Sequence, residues 1–291
     1  MSEAQQIQAL MLAAQGLQQA GGVLPFAVYS SVREQRIHNV PIAKPTLICV
    51  LEGRKRLSGE GEIDCPPGSF VVLSNRPGID MRNIPAGGDY FALIIEFDFD
   101  DFACLPARRG KPVPYLQGRL ETSLLKTLEQ FVAWAAFAPP ALWPLRRQEI
   151  LQLLFHLGYQ QVGLVMQPPG LGHRVHAMVC ADLALDAVAA DIASRLALSE
   201  SSLRRKLKAE GTSLQEIKDR ARLGHGLHLL QTTMESVGRV AERCGYQSQS
   251  RFTDKFKQAF GVTPSELRKT RMRDSGEYLA DSALILRGPD G

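Results

Sequence analysis

Two groups of polar side chains in the last third of this 291-residue chain have the types and spacing to read a nucleic acid. The first is Ser201, Ser202, Arg204, Arg205 and Lys208; the second is Gln249, Ser250, Arg251, Thr253 and Lys257. Arginine can bond guanine in bidentate fashion and glutamine can do so to adenine, each such pair discriminating by about 1–3 kcal/mol. Lys208 and Lys257, further along, suit phosphates, which add salt-dependent affinity without sequence information.

Those side chains are useful only on helices that show them to solvent. Leu203 and Leu207, like Phe252 and Phe256, stand at i and i+4, so each pair faces a core and the polar residues take the opposite stripe. The two segments are copies. Ser199 aligns with Ser248, Leu203 with Phe252, Leu207 with Phe256, Lys208 with Lys257, and Gly211 with Gly261. Ahead of each serine lies a short helix with a small residue, Ala193 or Ala241, where helices approach closely. A short helix, a turn and a serine-capped helix make a helix-turn-helix, whose second helix fits a major groove. For one copy alone, the solvated basic face of an ordinary helical domain explains the pattern equally well. Two copies at matched spacing favour the groove-reading explanation.

Charge agrees with the repeat. The chain carries a net charge of only +4, but residues 172–275 hold 18 basic and 12 acidic residues, +6, which leaves −2 for the remainder. Punctuation in this half is helical throughout. Ser213 with Glu216 forms a capping-box pattern that opens a helix over 214–231, and Thr263 with Glu266 forms another, with Pro264 at the first helical position. Gly211 and Gly261 each stop the preceding helix. The strongest break is Gln167-Pro168-Pro169-Gly170-Leu171-Gly172, which suits an interdomain linker. The expected division is 1–166, a linker at 167–172, a helical domain at 173–275 and a tail at 276–291.

The first hundred residues read as short strands: 46–51, 70–73 and 90–97, with a tight hairpin over 57–63. Strands at this spacing argue for a small sandwich or barrel. Helical periodicity then takes over, at Leu120, Leu124, Leu125, Leu128, Phe131 and Val132, and again at Leu145, Ile150, Leu153, Leu154 and Leu157. Their apolar faces, Leu124, Leu128 and Phe131 with Leu145 and Leu153, suit either their own barrel or a twin subunit. The fold class is α+β.

Several function classes are disfavoured. Residues 1–22 lack the basic and apolar regions of a secretory signal, and no apolar run reaches the roughly 20 residues of a membrane span. The five scattered cysteines, Cys49, Cys65, Cys104, Cys180 and Cys244, read as free buried thiols in a reducing cytosol. His173 with His176, and His225 with His228, have i, i+3 spacing but no cysteine or acidic companions, so no metal and no cofactor are expected. The strand-rich segment holds only His38, too few for a metal oxygenase. No nucleophile elbow or phosphate-cradling loop occurs, so the chain does not read as an enzyme. Arg54, Lys55 and Arg56, with Lys44, Arg76 and Arg82, suit either an acidic small molecule or simple solvation of a hairpin.

From about residue 188 to 273, the chain resembles the AraC/XylS family of bacterial transcription regulators. The resemblance is carried by Val240, Ala241, Cys244, Gly245, Tyr246, Ser248, Gln249, Ser250, Phe252, Phe256, Lys257, Phe260, Gly261, Val262, Thr263, Pro264, Ser265, Leu267 and Arg268, and it covers roughly a third of the chain. It implies an all-α domain of two helix-turn-helix units joined by a long helix, binding double-stranded promoter DNA. Arg222, Leu223, Leu229 and Leu230 stand where the family expects them in that helix. Gly226 stands where alanine is usual, with Gly224 close by, and two helical glycines imply a soft or kinked connector. Asp254 stands where arginine is frequent; an acid there repels phosphate or accepts from cytosine, so the second unit binds more weakly or reads different bases. The first half, through Pro66, Pro67, Gly68, Ser69, Phe70 and Val71, resembles a cupin-like β-barrel with flanking helices, used in such regulators for sensing and dimerisation.

The resemblance therefore implies a cytoplasmic transcription factor, modulated at its N-terminal domain by a small-molecule effector or partner. A homodimer and contact with RNA polymerase are the further expectations. Two alternatives stand beside it: a DNA-repair alkyl acceptor fused to the same module, and a regulator controlled by a protein partner.

Overall fold

The computed structural model describes residues 2–59, 61–75, 78–107, 110–181, 183 and 189–272. Arg76 and the expected tail at 276–291 lie outside the described residues. The chain opens with helix α1 (Glu3–Ala20), an element that a strand-rich reading of the first hundred residues does not contain. Its start is a local capping box, in which Ser2 and Gln5 each bond the other's backbone N–H.

Nine strands follow among the described residues: β1 (Ala27–Ser31), β2 (Gln35–Val40), β3 (Thr46–Glu52), β4 (Arg54–Ser58), β5 (Glu62–Cys65), β6 (Ser69–Leu73), β7 (Ile79–Ile84), β8 (Tyr90–Glu96) and β9 (Tyr115–Arg119). They form two antiparallel sheets, one in the order β1-β8-β3-β6-β9 and the other in the order β2-β7-β4-β5. The hairpin expected over 57–63 is present, with Leu57 paired to Ile63. Two helices, α2 (Thr122–Ala135) and α3 (Trp143–His156), and the short α4 (Val162–Val165) complete this half.

The larger sheet is buried on both faces, which is why its strands are continuous apolar runs rather than alternating ones. In β3, Leu47, Cys49 and Leu51 face the helices, packing with Leu10, Leu124, Leu128 and Phe131. Ile48 and Val50, one residue out of phase, face the smaller sheet with Leu57, Ile63 and Met81. Leu124, Leu128 and Phe131 are at most 1% exposed, so the α2 face serves the chain's own barrel. Leu145 does not; it stays 59% exposed.

The helical half comprises α5 (Leu171–Ala181), α6 (Ala189–Arg195), α7 (Glu200–Ala209), α8 (Leu214–Thr232), α9 (Val237–Arg243), α10 (Gln249–Phe260) and α11 (Pro264–Lys269). Helix α5 begins at Leu171, inside the proline-glycine segment. The connecting helix α8 runs uninterrupted through its two glycines, each of which makes room for a neighbour. A Cβ on Gly226 would come within 2.8 Å of the Phe252 ring, and one on Gly224 within 3.2 Å of Pro41 in the barrel half.

The two helix-turn-helix units relate differently to the barrel. The first has its own core, from Val175, Val179, Ile192, Leu203, Leu207 and Ile217. The second shares one apolar cluster with the inter-sheet core, joining Leu223, Leu230, Phe252 and Phe256 to Ile37, Val40 and Ile48. Backbone bonds seal this junction: Val32 N and Arg33 N donate to Thr270 O at 2.8 and 3.2 Å. The linker is held too. Asn75 accepts from Gln167 N at 2.9 Å and donates to Gln167 O at 3.2 Å. Glu210, at the end of α7, accepts from Leu171 N and Gly172 N, both at 2.8 Å.

Candidate nucleic-acid interface

The recognition helices α7 and α10 begin in the same way. Ser199 Oγ accepts from Ser202 N at 3.2 Å, and Ser248 Oγ accepts from Arg251 N at 3.3 Å. Each cap satisfies an otherwise orphaned helix N–H. The turns before them match as well. Ala197 and Gly245 occupy equivalent positions with left-handed φ of 53° and 75°. The following residues, Leu198 and Tyr246, donate back to Ala193 O and Ala241 O at 2.9 and 3.0 Å. The repeat seen in the residues is thus a repeat of backbone geometry.

The buried face of each helix is the expected one: Leu203 and Leu207 are each 1% exposed, and Phe252 and Phe256 0%. A helix turns about 100° per residue, so the side chains one or two positions away turn off the buried face. Ser201, Arg204, Arg205 and Lys208 on α7 are exposed, as are Gln249, Ser250, Arg251 and Lys257 on α10. Ser202 and Thr253 differ from the expected exposed stripe and are half-buried. Ser202 is also bound locally, with Ser199 Oγ donating to its hydroxyl at 3.0 Å. Arg204 lies 3.7 Å from Glu200 one turn earlier, whereas Arg205, Lys208, Arg251 and Lys257 have no ion pair among the described residues. The barrel touches α10 at its far end, where His38 lies against Gly261. Residues 248–251 at its start are exposed.

Connecting contacts fix how the units are held. Lys255 on α10 pairs with Asp219 on α8 at 3.4 Å. Arg271 donates to Leu230 O and Thr233 O at 2.8 and 2.9 Å, closing the end of α8. No group of three or more His, Cys, Asp or Glu suited to a metal occurs among the described residues. His173 instead lies 3.2 Å from the Asn75 amide, and His228 3.2 Å from the Tyr29 hydroxyl. Cys104 and Cys180 differ from the expected buried thiols: the first is partly exposed and the second exposed.

The basic residues around the hairpin do not form one cluster. Arg54 and Arg56 both pair with Asp64, Arg82 with Glu34, and Lys44 with Asp98. Among the described ones, Lys55 alone turns inward and is 1% exposed. Its Nζ donates to Asn83 Oδ1 at 2.7 Å and lies 3.5 Å from the Tyr90 hydroxyl. No carboxylate pairs with it among the described residues, and burial pulls the ammonium down to about 8. Strand parity was the available signal, because Lys55 shares its face of β4 with Leu57. From Asn83 the polar chain continues: Asn83 Nδ2 donates to Gln35 Oε1 at 2.8 Å, and Gln35 Nε2 to Thr270 Oγ1 at 2.7 Å. Gln35 also lines a cleft of about 370 Å³ between the halves, with Glu34 and Arg36 on one side and Val262, Leu267 and Thr270 on the other.

Comparison with known proteins gives the following. Residues 192–270 match a helix-turn-helix domain family. The transcriptional regulator GadX of Escherichia coli O6:H1 is 36% identical over 120 residues, 41% of this chain and 44% of that protein. The transcriptional regulator SirC of Salmonella typhimurium is 35% identical over 97 residues, 33% of each chain. The chain thus matches less than half the length of these regulators. A crystal structure of unsaturated fatty acid-bound ToxT from Vibrio cholerae has the same fold, with a TM-score of 0.59 at 16% identity over 85% of this chain and 95% of that one. No helix among the described residues is long and apolar enough to cross a membrane.

Proposed function

We infer that the chain is a sequence-specific, cytoplasmic, bacterial transcription regulator of the AraC/XylS type acting on double-stranded promoter DNA, a reading supported by the match of residues 192–270 to a helix-turn-helix domain family. The observation that carries this reading is the pair of recognition helices with matched caps, matched turns and outward polar stripes. Successive major grooves on one DNA face would receive α7 and α10, covering about 20 base pairs. Arg204, Arg205, Gln249 and Arg251 read base edges, with Ser201 and Ser250 beside them; Lys208 and Lys257 bind phosphate. Ser202 and Thr253, half-buried, act at the rim of that surface. RNA polymerase is the further partner at the promoter. The reading requires no catalytic step.

Residues 1–166 are the sensing and dimerising part, 167–172 the linker and 173–275 the DNA-binding part. An effector of acidic type is supported by the buried Lys55 cation and by the fatty acid in the ToxT structure. Self-association is supported by the tip between α2 and α3, where Phe137 is 74% and Leu145 59% exposed. An alkyl-accepting thiol has less support, because Cys244 is buried and burial pushes its thiol up to about 12, keeping it protonated.

The test is binding of the full chain to promoter fragments with Arg205→Ala and Lys208→Ala. The first relaxes sequence preference by about 1–3 kcal/mol at one base pair. The second weakens all sequences alike and lowers the salt slope by about 1. Unchanged preference and unchanged salt slope in both variants sink the assignment. Thermal-shift screening against small acids, beside a pull-down, separates a metabolite effector from a protein one.

A further inference from the structure

Asp254 lies at the centre of the outward stripe of α10, and nothing among the described residues neutralises it. The position follows from the helix. Two residues past Phe252 the helix has turned about 200°, so Asp254 projects directly away from the buried Phe252 and Phe256. It is exposed, one turn beyond Ser250, and no cation pairs with it among the described residues. Its neighbour Lys255 is engaged elsewhere, by Asp219 at 3.4 Å.

The internal repeat says what stands at this point in the other unit. Ser199 and Ser248 cap the two helices, and Leu203 and Phe252 are the first fully buried residues after them. Two residues further on, the first unit has Arg205 and the second has Asp254. The two units therefore present opposite chemistry from the same place on the same scaffold. An arginine there is a pure donor and an ionised aspartate a pure acceptor. In the major groove guanine offers only acceptors, O6 and N7, and thymine offers O4 and a methyl group. Only the amino groups of cytosine and adenine can donate to a carboxylate. Adenine sets its N7 acceptor beside that donor, which a carboxylate meets with repulsion, so cytosine fits better.

We propose that Asp254 is a specificity-determining residue of the second unit, accepting a hydrogen bond from the cytosine amino group where Arg205 of the first unit donates to guanine. This rests on the DNA-binding reading above. The opposing idea is that Asp254 touches no base and merely repels phosphate. That would weaken every sequence equally.

The experiment is selection from a randomised duplex library by the full chain, comparing the unaltered protein with D254A, D254N, D254R and R205A, each checked for an unchanged melting temperature. The unaltered protein enriches cytosine at one position, with about tenfold discrimination. That position becomes degenerate in D254A, shifts to adenine in D254N and to guanine in D254R, and stays cytosine in R205A, which loses its own guanine elsewhere. The inference is overturned if D254A keeps the same motif while binding all sequences more tightly with a steeper salt slope. Enrichment of no motif by the unaltered protein overturns the DNA-binding reading itself, and is told apart by that control.

Discussion

Gln231 on the connecting helix and Gln35 on a barrel strand meet side chain to side chain inside the protein. Gln231 Nε2 donates to Gln35 Oε1 at 3.2 Å, and the two residues are only 1% and 2% exposed. Gln35 also accepts from Asn83 and donates to Thr270, so one amide joins the barrel, α8 and the end of α11. Buried amides left unpaired cost about 1–3 kcal/mol each. Gln35→Ala and Gln231→Ala should each destabilise by that amount in urea unfolding. The double variant should cost about 1 kcal/mol less than their sum. Strict additivity would show that the two amides act independently.

Lys55 makes stability depend on pH in the alkaline range. Its folded value, about 8, lies below the ordinary 10.5, so between the two the unfolded chain binds the extra proton. Stability therefore rises with pH across that window, by about 3 kcal/mol when complete. The check is urea unfolding at several pH values between 7.5 and 10.5, with Lys55→Met as the reference that lacks this gain. Parallel profiles for the two proteins would refute the assignment.

The two glycines of α8 should respond differently to alanine. At Gly226 the new methyl would stand 2.8 Å from the Phe252 ring, which is buried and cannot retreat. Overpacking of that kind costs about 1–3 kcal/mol. At Gly224 the nearest atom is Pro41 Cγ at 3.2 Å, a contact that a few tenths of an ångström relieves. There the better helix propensity of alanine, up to about 1 kcal/mol, offsets the contact. Melting temperatures that fall equally in both variants would contradict this.

Ala197 holds a left-handed φ of 53° at the turn where its repeat partner is Gly245. A Cβ in that region costs about 1–2 kcal/mol, and glycine recovers part of it. Ala197→Gly is expected to raise stability by up to about 1 kcal/mol. Gly245→Ala should lower it more, because a Cβ there would also come within 2.5 Å of Leu183 O. Calorimetry of both proteins decides the matter.

Asn75 clamps the linker by bonding both backbone groups of Gln167. Asn75→Ala should leave those groups without their partner and raise the rate of proteolytic cleavage around residues 167–172 several-fold. Cleavage at an unchanged rate, at matched global stability, would mean that other contacts hold the linker.

Much of the candidate nucleic-acid surface is legible in the residues themselves. Ser199, Ser248, Ser213 and Thr263 announce helix starts through bonds that span three residues. Leu203, Leu207, Phe252 and Phe256 announce a buried face through a spacing that every α-helix shares. Such signals are local, and so they survive in one dimension. The barrel strands were legible for the same reason, as short apolar runs between turns. Helix α1 gives only a weak signal, because its buried face is thin, made of Gln6, Leu10 and Ala14.

What the residues could not say is which surface each element meets. Lys55 reads as one of three consecutive hairpin cations, yet strand parity and the closing of the second sheet bury it beside Asn83 and Tyr90. Gly224 and Gly226 read as weaknesses in a helix; Pro41 and Phe252 make them close-approach positions. Gln35 and Gln231 are 196 residues apart in the chain, and no periodicity joins them. Helical spacing and caps fix the two recognition helices from within. The docking of the second unit on the barrel arises from side chains distant in sequence, whose energies exist only once the sheets and helices have packed.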